Sequence, residues 1–84
     1  MASEITYEEL ATLIKTRAGV AVTVDELADP GRMFLDLGVD SLGVLGVLSD
    51  VENRYGVSID SADLLGRPVA EFLQTVNSSV KAGA

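Results

Sequence analysis

The chain has 84 residues, no cysteine and no histidine, and thirteen acidic against six basic side chains, for a formal net charge of −7. That length supports one small core, and the composition excludes disulfide staples, cysteine metal clusters and histidine-assisted zinc or catalytic sites. Acidity of this degree repels phosphate backbones and anionic lipid, so neither nucleic acid nor a membrane is an expected partner, while 48% apolar residues and a mean hydropathy of +0.32 mark a folded chain.

The opening Met1-Ala2-Ser3-Glu4-Ile5 lacks the basic and apolar segments of a signal peptide. No apolar run approaches the roughly 18 residues of a membrane span. A cytoplasmic, monomeric single domain over residues 1–84 is expected, with 1–5 and 81–84 flexible.

Thr6 with Glu9 makes a capping-box pattern, and Ile5 with Leu10 a hydrophobic staple. Leu10, Leu13, Ile14 and Ala18 then recur at helical spacing up to Gly19, which predicts a first helix over residues 7–18. Residues 19–24 are rich in β-branched side chains, but no second strand exists to pair with them, so a loop lying over the core is expected. Thr23 with Glu26 can cap one short turn there before Asp29-Pro30-Gly31 breaks the chain. Met33, Phe34, Leu35 and Leu37 are the apolar anchors that a loop of this length needs.

Asp40 is the expected N-cap of a second helix over residues 41–55, ending at Gly56. Val44, Leu48, Val51 and Tyr55 form its buried face; Leu42, Leu45 and Val47 widen the apolar surface, with Leu42 and Val47 on opposite flanks. Ser61 is placed to cap a short helix through Leu65, stopped by Gly66, and Pro68 to take the first position of a final helix. Val69, Phe72, Leu73, Val76 and Val80 give that helix its buried face, with Gln74, Asn77 and Ser78 towards water. The predicted fold class is all-α: a small bundle of three main helices and one short helix, with a long loop between the first and second helices.

Little in this inventory suits an enzyme acting alone. Gly43 and Gly46 lie within a helix and lack the lysine of a phosphate-binding loop, and no serine sits in a nucleophile elbow. Asp36 with Asp40 falls short of a calcium loop; Asp40 reads as a helix cap, and no metal site is expected. Ser41 stands differently. In the first turn of the second helix, free backbone N–H groups and the helix dipole favour a bound anion, so a phosphodiester on its hydroxyl would be stabilised. Gly38 supplies a close turn just before it. By local chemistry alone, Ser41 reads as an ordinary helix-start serine.

The surrounding residues shift that balance. Leu37-Gly38-Val39-Asp40-Ser41-Leu42 resembles the attachment motif of acyl carrier proteins, an LGxDSL-type segment that precedes their second helix. The likeness covers nearly the whole chain in length, acidity, helix spacing and the lead-in Phe34-Leu35-Asp36. Arg54-Tyr55-Gly56-Val57-Ser58-Ile59 is similar to the freestanding carriers of type II aromatic polyketide synthases.

The resemblance implies a non-catalytic protein with covalent 4′-phosphopantetheine on Ser41. A Mg²⁺-dependent phosphopantetheinyl transferase would move the arm from coenzyme A, with Asp40 assisting the metal only during that transfer. The terminal thiol would hold polyketide intermediates as thioesters at high effective concentration for each partner. The implied partners are a ketosynthase with its chain length factor, a malonyl transferase, and a ketoreductase or cyclases. A fatty-acid or other acyl carrier, or an excised domain of a larger synthase, is the alternative within the class. Peptidyl carriers fit less well, because they commonly place a glycine pair and a histidine before the serine. From a different class, the alternative is an unmodified acidic helical adaptor for basic proteins.

Residues 36–63 contain Asp36, Asp40, Asp50, Glu52, Asp60 and Asp63 against Arg54 alone, and so hold −5 of the −7. In the family, acids on the second and third helices face basic patches beside partner active sites, which assigns Asp36, Asp50, Glu52, Asp60 and Asp63 to docking. The plain alternative is a face that only solvates. Leu42 is either an exposed contact beside the arm or a cap on the core. Gly46 stands where many carriers have a glutamate, and Gly43 and Gly46 each weaken the helix by up to about 1 kcal/mol against alanine. Close approach of cargo or of a partner backbone is what these glycines are expected to allow. The Val- and Leu-rich core suits an enclosed or an exposed cargo equally.

Overall fold

Thr6 is extended, and its hydroxyl accepts from Glu9 N at 3.1 Å, which starts helix α1, Tyr7–Ala18; Gly19 stops it. The computed structural model describes residues 4–83, with the side chain of Asp63 outside that description, as are residues 1–3 and 84 of the two expected flexible ends. Residues 19–23 run over the core without regular structure, as expected, with Val20 and Val22 half-buried against it.

The next residues form the short turn expected from Thr23 and Glu26. Helix α2, Val24–Ala28, is closed by a complete capping box: Thr23 Oγ1 accepts from Glu26 N at 3.1 Å, and the Glu26 carboxylate accepts from Thr23 N at 2.9 Å. Five residues are too few to hold a helix unaided, so the reciprocal cap and fully buried Leu27 keep it in place.

A 3₁₀ turn, Phe34–Leu37, follows, with the Asp36 carboxylate accepting from Met33 N at 3.1 Å. Of the four expected anchors only Phe34 is buried; Met33 and Leu37 are half-buried, and Leu35 is 76% exposed. The reason is periodicity: three residues per turn bring positions 34 and 37 to one side and leave 35 outside.

Helix α3, Ser41–Tyr55, runs from an Asp40 cap to Gly56, with the bounds the sequence predicts. Val44, Leu48 and Val51 are buried together with Val47, and Tyr55 is half-buried. The short helix expected from Ser61 is a tighter 3₁₀ turn, Ser61–Asp63, and its cap is Asp60, whose carboxylate accepts from Ala62 N at 3.0 Å. An aspartate bonding two residues ahead tightens the turn that follows.

Helix α4, Val69–Gly83, buries all five expected residues. Pro68 lies one position before it rather than at its first residue; its carbonyl accepts from Phe72 N at 3.0 Å, Val69 N donates to Arg32 O at 2.8 Å, and Pro68 pairs with Met33 in an isolated antiparallel bridge. Asn77 does not face water. Its Oδ1 accepts from Ile5 N at 2.7 Å and its Nδ2 donates to Ile5 O at 3.1 Å, which fixes the segment before α1 across α4 with Ile5 buried.

The described residues form an all-helical bundle without strands. α1 packs chiefly on α3, and α2 touches both α1 and α4. The core is wholly apolar among the described residues, and the Phe34 and Phe72 rings meet edge to face at 5.0 Å, which contributes about 0.5–1.5 kcal/mol beyond their burial.

Both helix glycines lie against α1. A Cβ on Gly43 would stand 3.0 Å from Ala18 Cβ and 3.1 Å from Val39 Cγ1, whereas one on Gly46 would meet Arg17 Cβ at 3.4 Å. Close approach is therefore needed at Gly43, but between helices. In urea titrations Gly46→Ala is expected to raise stability by up to about 1 kcal/mol, the helix-propensity gain. Gly43→Ala should lower it despite the same gain, because neither neighbour is a flexible side-chain end.

Candidate functional site

The approach to Ser41 is set residue by residue. Gly38 adopts φ +80°, a conformation that other residues rarely hold, and its N–H returns to Leu35 O at 3.1 Å. Val39 is 1% exposed, and its N–H donates to Phe34 O at 3.0 Å, which turns the chain inward for one residue. Asp40 then comes out extended, and its Oδ1 accepts from Gly43 N at 2.9 Å. Ser41 is thus the first helical residue of α3, exposed to solvent.

None of the hydrogen bonds among the described residues engages the Ser41 hydroxyl. The Asp40 carboxylate takes Gly43 N and its carbonyl takes Val44 N at 3.0 Å. The amides of Ser41 and Leu42 are the remaining helix-start donors nearest a group on Ser41 Oγ. Beside them lies a cavity of about 270 Å³ whose lining includes Asp40 and Ser41 with apolar Phe34, Val39, Val44 and Leu64. An exposed hydroxyl, unspent helix-start amides and an apolar recess together fit an attached phosphodiester arm.

Each described acid of the expected docking set also has an internal bond. Asp36 holds Met33 N, Asp60 holds Ala62 N, and Glu52 Oε2 accepts from Ile59 N at 2.8 Å. Asp50, only 14% exposed, lies between Arg17 at 3.5 Å and Arg54 at 3.6 Å. The side chain of Asp63 is outside the described residues. Leu42 is 78% exposed and so does not cap the core. Gly46 rests against the Arg17 stem, so the position where many carriers have glutamate points here towards α1.

At the far end of α3 the Tyr55 hydroxyl donates to the Glu9 carboxylate, at 2.9 and 3.1 Å to its two oxygens. Glu9 therefore leaves the expected capping box of α1 half made, since its side chain reaches across to α3 instead of back to Thr6. Burial, then the bond to Glu9 and its negative charge, push the Tyr55 hydroxyl above the ordinary tyrosine value, and Arg54 opposes them. This cross-link was not legible in the sequence, because Glu9 and Tyr55 each have a sufficient local role.

These features define a class: a small helical domain that presents an exposed serine at the start of a capped helix. Comparison with known proteins agrees. The family described as the phosphopantetheine attachment site matches residues 8–76. A curamycin polyketide synthase acyl carrier protein of Streptomyces cyaneus is 42% identical over 82 residues, 98% of this chain and 94% of that protein. A probable acyl carrier protein of Streptomyces coelicolor is 40% identical over 83 residues, 95% and 90% of the two chains. An anthracycline acyl carrier protein of Streptomyces peucetius is 33% identical over 84 residues, 98% and 99%. No solved structure matches significantly. The chain belongs to the phosphopantetheine-bearing acyl carrier protein family.

The Tyr55 shift sets a pH dependence. A raised value means that folding favours the protonated hydroxyl, so the stabilisation is complete below the unfolded tyrosine value of 10.0 and is lost as pH rises through the higher folded value. Urea midpoints of the wild type should fall across that alkaline range more steeply than those of Tyr55→Phe, which should start lower at neutral pH.

Proposed function

We propose that this protein is a discrete carrier of a type II polyketide synthase, holding intermediates on 4′-phosphopantetheine attached at Ser41. The carrying observation is the exposed, unengaged Ser41 hydroxyl at the start of an Asp40-capped helix, within a chain of the matching family. The polyketide assignment is supported by the relatives named for curamycin and anthracycline. When attached, the arm supplies the thiol that carries the acyl group, a thiol this chain itself lacks.

The chain's own part is to present and to tether, as one carrier unit over residues 1–84. It is the substrate of a phosphopantetheinyl transferase and then serves the synthase enzymes in turn: the ketosynthase and chain length factor, the malonyl transferase, and a ketoreductase or cyclases. Tethering raises the local concentration of the intermediate at each of them. Use of coenzyme A as donor favours the cytoplasm, and no helix of the described residues is long and apolar enough to cross a membrane.

Asp40 has two separable duties in this reading. Its carboxylate caps α3, and it faces the transferase's magnesium during modification. Asparagine caps as well as aspartate, and alanine does not. Asp40→Asn should keep the thermal midpoint yet load slowly, while Asp40→Ala should load slowly and also lose about 1 kcal/mol of stability.

Intact mass is the direct test. With coenzyme A, Mg²⁺ and a broad-specificity phosphopantetheinyl transferase the protein should gain about 340 Da, and Ser41→Ala should gain nothing. A folded wild-type protein that stays at its starting mass would rule out the carrier reading and favour the adaptor.

A further inference from the structure

The surface around Ser41 has an apolar component that the acidic residues obscure in the sequence. Leu35 is 76% exposed and Leu65 38%, and both line the same cavity as Ser41. They reach it from different segments, Leu35 from the 3₁₀ turn before α3 and Leu65 from the stretch before α4, which the Met33–Pro68 bridge brings together. Leu42, 78% exposed, adjoins Ser41 in the chain. Neither Leu35 nor Leu65 is needed to complete the core, where buried Phe34 and Leu64 next to them serve.

The acids nearby are placed differently. Asp36, Asp40 and Asp60 each have a carboxylate oxygen bound to a backbone N–H, and Asp50 lies between two arginines. Carboxylates held in this way keep their charge and so steer an approaching basic partner, but little short-range pairing is left for them to gain. Contacts that decide affinity come instead from apolar groups that lose their water at the centre of an interface.

We infer that Leu35 and Leu65 form the apolar centre of the docking surface for the enzyme that modifies Ser41. Its own surface would be apolar where it meets them and basic around the margin. This rests on the carrier reading, since an enzyme that reacts at the Ser41 hydroxyl must cover the exposed surface beside it. Charge complementarity fixes the margin: the segment 36–63 holds −5 of the chain's charge of −7. Leu35 and Leu65 set how long the complex lasts, and the acids set how fast it forms.

The test is steady-state loading of the apo protein by a broad-specificity phosphopantetheinyl transferase with coenzyme A and Mg²⁺. Leu35→Gln/Leu65→Gln should raise the KM for the carrier about tenfold at low and high salt alike, with kcat within about twofold. Asp36→Asn and Asp60→Asn, which keep their caps, should raise KM no more than about threefold, and only at low salt. Circular dichroism melts check that the leucine variants stay folded, as exposed positions should. A double leucine variant with KM within about twofold of wild type overturns the inference. It is equally overturned if that variant hydrolyses a loaded thioester faster at unchanged KM, because the leucines would then shelter cargo. Absence of any mass gain in the wild type is a separate result: it removes the carrier reading and this inference with it.

Discussion

The position of the site depends on one junction far from it in sequence. Val69 N donates to Arg32 O, Met33 pairs with Pro68, and the Phe34 ring meets Phe72 edge to face. These three contacts hold the 3₁₀ turn before α3 against the start of α4. Once Phe34 is fixed there, Val39 N can return to Phe34 O, and the chain leaves that bond at the Asp40 cap. Ser41 is therefore placed by residues about thirty positions away, and the cavity beside it is the space left between the two joined segments.

Charge in this protein acts at two ranges. At short range the carboxylates are structural: they cap α2, α3 and both 3₁₀ turns, and Asp50 and Glu9 bring Arg17, Arg54 and Tyr55 together along the α1–α3 seam. With their arginines half exposed, these ion pairs contribute little to stability one at a time, and the backbone caps contribute more. At long range the same groups sum to an acidic field that any partner meets first. A single residue serves both purposes because a hydrogen bond to a neutral N–H leaves the charge in place.

Much of the fold was legible because its signals are local. Thr6, Gly19, Asp40 and Gly56 bound two helices by capping chemistry alone, and the five buried residues of α4 recur at helical spacing. The losses occurred where a side chain had two local options or a distant partner. Glu9 reads as a capping-box residue and is spent on Tyr55; Asn77 reads as a surface residue and clamps Ile5; Leu35 reads as an anchor and is exposed by the pitch of a 3₁₀ turn. Ser41 itself needed the motif, because its immediate chemistry matches any serine at a helix start.

The contact at Gly43 has a consequence for how such chains diverge. A Cβ at position 43 would press on Ala18 and Val39, at 3.0 and 3.1 Å, so the three positions share one volume. A bulkier residue at 43 becomes acceptable only where Ala18 or Val39 shrinks at the same time. Drift at any one of them is constrained by the other two, and substitutions there should be inherited together.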